Sequence, residues 1–164
     1  MKKQIIEKKE IKNYWENKSP QTWYSNKDID HDRASWFNEL AYKRYNVFYE
    51  YLLKVAEFKY HRGERVLEIG TGVGTDLVSF AKNGSIVSGI DLTDKAIEIT
   101  KKNLETFNLE SEKLIVGDAE NLPFEENYFD LVYSFGVLHH TPNTEKAVEE
   151  ALRVLKPGGK FIVM

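Results

Sequence analysis

Val66-Leu67-Glu68-Ile69 runs without a break into Gly70-Thr71-Gly72-Val73-Gly74-Thr75, a turn with glycine at every second position, and a helical pattern follows. No other stretch limits the fold as tightly. Glycines there let the backbone take positive φ and let a ligand meet the main chain with no Cβ in the way. The N-terminus of the next helix adds free N–H groups and a partial positive charge. Strand, glycine turn and helix in that order predict a nucleotide-type site at the carboxyl end of the first strand of an open α/β sheet. A tight turn without a ligand is the alternative. The spacing narrows the guest. A dinucleotide fingerprint reads G-x-G-x-x-G and a P-loop ends in Gly-Lys-Ser/Thr. Here Gly74 is followed by Thr75 and Asp76, and Glu68 stands just before the turn. With a carboxylate close by and no lysine, a triphosphate is a poor guest. A ligand carrying an amino group and a positive centre suits the turn better.

After Gly63 the chain alternates strand and helix. Strands are predicted at Arg65 to Ile69, Ser85 to Ile90 ending on Asp91, Lys113 to Val116, Phe129 to Ser134 and Lys160 to Met164. Helices are predicted at Thr75 to Asn83, from a Thr93 N-cap to about Phe107, and at Thr144 to Leu155. The last strand is entered through Pro157-Gly158-Gly159. Such alternation means right-handed βαβ units and a parallel sheet. The expected order is 3-2-1-4-5, with the glycine turn at the switch point.

The first 64 residues are built differently. They hold 13 Lys/Arg against 10 Asp/Glu, whereas residues 65–164 hold 10 against 16, and all three Trp and seven of the nine Tyr precede Gly63. We therefore divide the chain into a helical cap or lid, residues 1–62, and a core, residues 63–164. Residues 1 to about 18 predict a short amphipathic helix carrying Ile5, Ile6, Ile11, Tyr14 and Trp15, ended by Ser19-Pro20. Gln21 to Asp32, with Trp23 and Tyr24, predicts a loop. From Asp32 to about Tyr60 the apolar set Phe37, Leu40, Ala41, Val47, Phe48, Tyr51, Leu52, Val55 and Ala56 predicts one long helix, or two with a kink, covering the sheet.

Composition closes off several functions. No apolar run approaches the roughly 20 residues of a membrane span, and the opening residues do not read as a signal peptide. With Cys 0 there is no disulfide framework or thiolate metal site, so a cytoplasmic setting is expected. A net charge of −3 argues against a nucleic-acid footprint.

Three carboxylates fall at successive strand ends: Glu68, Asp91 and Asp118. Asp91 stands where an acidic side chain accepts hydrogen bonds from both ribose hydroxyls. Asp118, in Gly117-Asp118-Ala119, stands where a side chain meets an adenine amino group. Each alone is also a turn or cap residue; together on one sheet edge they mark a site.

Five blocks in order now resemble the class I S-adenosylmethionine-dependent methyltransferases. They are Glu68-Ile-Gly-Thr-Gly-Val-Gly74, Gly89-Ile-Asp91, Gly117-Asp118-Ala119-Glu-Asn-Leu-Pro-Phe124, Phe129 to His140, and Arg153-Val-Leu-Lys-Pro-Gly-Gly159. The ubiquinone-biosynthesis-like branch, which acts on small molecules, is the most similar. The resemblance implies S-adenosylmethionine as cofactor. Glu68 and the backbone of Gly70, Thr71, Gly72 and Gly74 would hold its methionine part, Asp91 its ribose, and Leu92, Asp118 and Ala119 its adenine. Ser134 would line the site beneath the sulfonium. Asn13-Tyr14-Trp15 is similar to a group in the family's N-terminal cap, which adds Tyr14 to the cofactor set. His139 and His140 open the loop that faces the acceptor, as a general base or as packing residues. No metal is expected.

The resemblance also implies two further strands, the last antiparallel, which are missing after the fifth. Either the chain is part of a longer one, or the exposed edge Phe161-Ile162-Val163-Met164 pairs with another copy. The expectation is therefore methyl transfer to a small-molecule acceptor, with oxygen, nitrogen and carbon all open. A non-catalytic cofactor-binding module and a nicotinamide-dependent oxidoreductase are the rivals.

Overall fold

The computed structural model describes residues 2–17 and 32–164. The expected Ser19-Pro20 stop and the Trp23-Tyr24 loop lie outside the described residues. Five parallel strands form one sheet in the order β3-β2-β1-β4-β5: β1 Arg65–Ile69, β2 Ile86–Asp91, β3 Lys113–Val116, β4 Phe129–Ser134 and β5 Leu155–Val163. β1 is the middle strand, pairing Glu68 with Gly89 of β2 on one side and with Tyr133 of β4 on the other. Its residues from Val66 to Ile69 are all buried. Such a strand, covered on both faces, reads as a continuous apolar run broken here only by Glu68.

Alternation along β1 divides the core in two. Val66 joins Leu77, Phe80, Leu131 and Tyr133 on one face. Leu67 and Ile69 join Ile90, Val132, Ala147, Ala151 and Val154 on the other. The crossover helices are α4 Thr75–Lys82, α5 Asp94–Thr106 and α6 Thr144–Val154. Thr93 caps α5, its hydroxyl accepting from Ala96 N, and Asn143 caps α6 by accepting from Lys146 N.

β5 starts earlier than expected. Leu155 already pairs with Phe129, and Lys160 pairs with Leu131, so Lys156-Pro157-Gly158-Gly159 bulges out of the ladder between them. Proline donates no hydrogen bond, and a bulge on an edge strand accommodates it.

The N-terminal part holds α1 Lys2–Asn17, α2 Arg33–Lys43 and the short α3 Leu52–Val55. Asp32 caps α2, its carboxylate accepting from Ser35 N at 3.0 Å. A π-helical turn, Arg44–Phe48, closes with Tyr49 N donating to Arg44 O, and the chain then leaves the helix at Tyr49, φ −141°. Two helices with a break is thus the observed alternative. The wider turn rotates the residues within and beyond it. Val47, Phe48, Tyr51 and Val55, expected inside, are 44–57% exposed, while Trp36 and Tyr45 are buried. Tyr45, Leu52, Ala56 and Phe58 share the core cluster of Val66, Phe80 and Tyr133, so this segment covers the sheet.

Candidate active site

The carboxyl ends of β1, β2, β3 and β4 open on a cavity of about 420 Å³, roofed by α1 and walled by α2 and the π turn. The glycine turn forms its floor. Gly70 and Gly72 take φ +83° and +54°, and a Cβ on Gly70 would lie 2.2 Å from Val137 Cγ2, so the turn and the loop after β4 touch. Thr100 Oγ1 donates to Thr71 Oγ1 at 3.1 Å, and Asn103 Nδ2 donates to Val73 O at 2.9 Å. α5 therefore clamps the turn from the side.

Most of the expected residues converge. Glu68, Gly70, Thr71, Gly72, Asp91, Leu92, Asp118, Ala119, His139 and His140 all line the cavity. Asp91 Oδ2 accepts from Gly72 N at 3.0 Å, and Oδ1 accepts from Thr93 N and Oγ1 at 3.0 and 2.9 Å. Oδ1 is filled by its two donors, whereas Oδ2, with one, keeps lone-pair capacity for a hydroxyl of a guest. Burial raises the pKa of Asp91 while the Thr93 and Gly72 donors pull it back. Asp118 Oδ1 accepts from Glu120 N at 2.9 Å and Oδ2 meets Lys8 Nζ of α1. Lys8 also reaches Glu120 at 2.6 Å.

Three expectations need correction. Ser134 does not line the cavity. It is fully buried and its hydroxyl donates to Ile69 O at 3.0 Å, tying β4 to β1. Gly74 is likewise away from the lining. It takes φ +75° at the start of α4, where a Cβ would press on Thr100. Tyr14 is 46% exposed and packs edge-on against Trp15. Its neighbour Trp15 enters the cavity instead, with its ring 5.4 Å from that of His140. One position on a helix turns a side chain by about 100°, which the apolar pattern of α1 was too weak to fix.

A buried polar cluster that the sequence did not announce lies at the deep end. Asp76, in the first turn of α4, accepts from Arg44 Nε and Nη2 and from the hydroxyls of Tyr45 and Tyr133. Burial works against the charge on Arg44, but Asp76 outweighs it and raises the pKa. Burial, then Asp76, pushes both tyrosine hydroxyls far up. Glu68 stands beside this group. Burial and the Asp76 charge raise its pKa well above the ordinary carboxylate value, against the pull of Arg44, and its Oε2 has no hydrogen-bond partner among the described residues. Asp76, two residues after the last glycine of the turn, was the available signal. Arg44 had none, being one cation among many on a helix.

The rim differs from the floor. Leu40, Tyr49, Phe135, Val137 and Trp15 make it apolar, and the Arg44 guanidinium lies 4.5 Å from the Phe135 ring centre. His139 and His140 sit on a 3-10 turn, Leu138–His140, with ring centres 4.0 Å apart. Partial burial and the neighbouring His139 lower the pKa of His140.

Comparison with known proteins agrees with this geometry. Residues 67–163, more than half of the chain, match the family described as methyltransferase domain. The sterol 24-C-methyltransferase of Saccharomyces cerevisiae is 30% identical over 99% of this chain and 49% of its own length. The demethylmenaquinone methyltransferase of Staphylococcus aureus is 32% identical over 86% of this chain and 57% of its own. The solved structure of the PH0226 protein from Pyrococcus horikoshii superposes with a TM-score of 0.66 at 26% identity, covering 93% of this chain and 65% of that one. The chain spans about half the length of the curated relatives it matches. On the turn, the strand-end carboxylates and the matched span, this chain belongs to the methyltransferase-domain family, the class I S-adenosylmethionine-dependent methyltransferases.

Proposed function

We propose that the protein binds S-adenosylmethionine in this cavity and moves its methyl group to a small, largely apolar acceptor. The observation that carries the reading is the meeting of Asp91, Gly72 and Glu68 over one glycine turn. The residues fit the cofactor. Glu68 Oε2 is a buried acceptor without a donor, which a ligand ammonium group satisfies. The volume is that of a small-molecule site. We assign Asp91 to the ribose diol and Asp118 with Ala119 to the adenine edge.

When bound, the cofactor supplies a methyl group already activated by a sulfonium centre. What this chain adds is placement. The glycine turn and Asp91 fix one reactant, and the apolar rim of Tyr49, Phe135 and Val137 holds the other and keeps water out. Holding two reactants at attack distance contributes about 7–11 kcal/mol in favourable cases. With its pKa lowered, His140 is neutral at pH 7 and able to accept a proton from an acceptor hydroxyl. The apolar rim, and the sterol and demethylmenaquinone methyltransferases among the relatives, support an acceptor with a large hydrocarbon part.

Calorimetric titration with S-adenosylmethionine and with NAD separates this reading from an oxidoreductase. Mass spectrometry of apolar metabolites incubated with protein and cofactor then tests transfer. Asp91→Ala should weaken cofactor binding roughly ten- to hundredfold through lost charge-assisted hydrogen bonds. Unchanged affinity in the folded variant overturns the assignment, and binding without transfer to any acceptor leaves a binding module.

A further inference from the structure

The segment from the π turn to β1 turns apolar side chains toward solvent. Val47, Phe48, Tyr51, Leu53 and Val55 are 57, 50, 50, 56 and 44% exposed, and Tyr60 is 79% exposed. Tyr45, Leu52, Ala56 and Phe58, interleaved with them, point the other way into the core. The buried set fixes the backbone and so holds the exposed set outward. In α3 and the residue before it, Tyr51, Lys54 and Val55 fall on one helical side. Exposed apolar side chains gathered in this way mark a contact surface, whereas single ones are ordinary.

Two observations identify what the surface meets. The first is charge. Lys43 is paired with Glu39, Arg44 with Asp76 and Glu57 with Lys160. Over residues 42–62 this leaves exposed Lys54, Lys59 and Arg62 against Glu50 alone, in a chain whose net charge is −3. The second is continuity with the cavity. Tyr49 lines the cavity with its ring 4.8 Å from Phe135, and the same ring lies 6.4 Å from Phe48 and 6.2 Å from Tyr51 on the outside. Aromatic rings thus run from the cavity wall to the outer face. A protein partner needs no such route, but an acceptor dissolved in lipid does. Tyrosine places an apolar ring and a wet hydroxyl at a bilayer interface, and lysine lays its stem along acyl chains while its ammonium stays among head groups. No described helix is long and apolar enough to cross a membrane, so the contact is with the surface.

We infer that the face formed by residues 47–62 docks on an anionic lipid surface and that the acceptor enters the cavity from there, past Tyr49. The acceptor's route rests on the methyl-transfer reading, whereas lipid docking does not.

Sedimentation of the whole chain with vesicles tests it, using phosphatidylcholine alone and phosphatidylcholine mixed with phosphatidylglycerol, at low and high salt. Binding should favour the mixed vesicles and weaken as salt rises. Lys54→Gln with Lys59→Gln should weaken it about twenty-fivefold, since each cation at an anionic surface contributes roughly fivefold. Leu53→Ser with Val55→Ser, both outside the cavity, should weaken it by at least about tenfold. A chain that stays in the supernatant with both vesicles, or binding that neither double variant alters, overturns the inference. So does a dimer in ultracentrifugation that the serine variant dissolves while vesicles bind nothing, because the face then belongs to a second copy. Solution calorimetry with S-adenosylmethionine on the same samples keeps the two readings apart. Vesicle binding without cofactor binding defeats the methyl-transfer reading and leaves the docking face standing.

Discussion

Arg44 and Asp76, 32 positions apart, form a two-point ion pair, with Nε 2.7 Å from Oδ1 and Nη2 2.5 Å from Oδ2. The pair joins the π turn to the first turn of α4 and holds the cation that faces two buried carboxylates, Asp76 and Glu68. Removing one partner of a buried pair leaves an uncompensated charge, which costs about 3–5 kcal/mol. Arg44→Met should therefore lose stability on that scale, and Arg44→Met with Asp76→Asn should recover much of it. Denaturant unfolding of the three proteins checks the ordering. A single variant as stable as the parent would show that the pair contributes nothing.

Glu68 makes the cofactor-free protein sensitive to pH in a defined direction. Its folded pKa is raised above the ordinary 4.5, so between those values the folded state binds more protons than the unfolded one. Stability then falls as pH rises through that window. Asp91, raised from 3.8, adds a slope of the same sign. Glu68→Gln should flatten the decline and melt higher than the parent near neutrality. Melting temperatures across the acid to neutral range decide this, and a parent profile that rises with pH contradicts it.

Gly70 and Gly63 give a paired comparison. Both take positive φ, +83° and +77°, but a Cβ on Gly63 meets nothing within 4 Å, whereas one on Gly70 runs into Val137. Alanine at either site incurs about 1–2 kcal/mol of left-handed strain. Gly70→Ala should cost a further 1–3 kcal/mol or so from overpacking, and Val137→Ala should return part of that difference. Equal destabilisation at the two glycines would show that the loop yields.

α1 is expected to act as a cover whose loss is felt by the ligand more than by the fold. Lys8, Ile11 and Trp15 line the cavity, and Lys12 pairs with Asp94 at 2.7 Å. Deleting residues 1–30 should weaken S-adenosylmethionine binding about tenfold, by exposing the site to water, while the main thermal transition remains. Full affinity in the shortened chain, with no ligand-dependent change in protease sensitivity, would remove α1 from the site.

Much of this was legible because the informative signals are local. The glycine turn, the strand-end carboxylates and the strand–helix alternation each depend on neighbours within a few residues, and the sheet order follows from right-handed crossovers. What escaped depends on residues far apart. Ser134 reads as a site residue from its place at a strand end, yet its hydroxyl is spent on Ile69 O. The Arg44–Asp76 pair needs the π turn, and no propensity announces one extra residue in a helix. That residue also turned Val47 and Phe48 out of the core their spacing promised. At β5, Lys156-Pro157-Gly158-Gly159 looked like the entry turn, but pairing at Leu155 made it a bulge.

The clamp on the glycine turn has a temporal consequence. Val73 O is held by Asn103, a residue 30 positions downstream. Thr71 is held by Thr100, 29 positions downstream. A ribosome therefore releases the turn well before the helix that holds it, and at roughly 5–20 residues per second the interval lasts on the order of seconds. During that interval the glycine turn lacks the two hydrogen bonds that clamp it. Cofactor present at the ribosome thus finds no fixed turn until α5 has docked over it, so ligand capture in a growing chain follows the docking of α5.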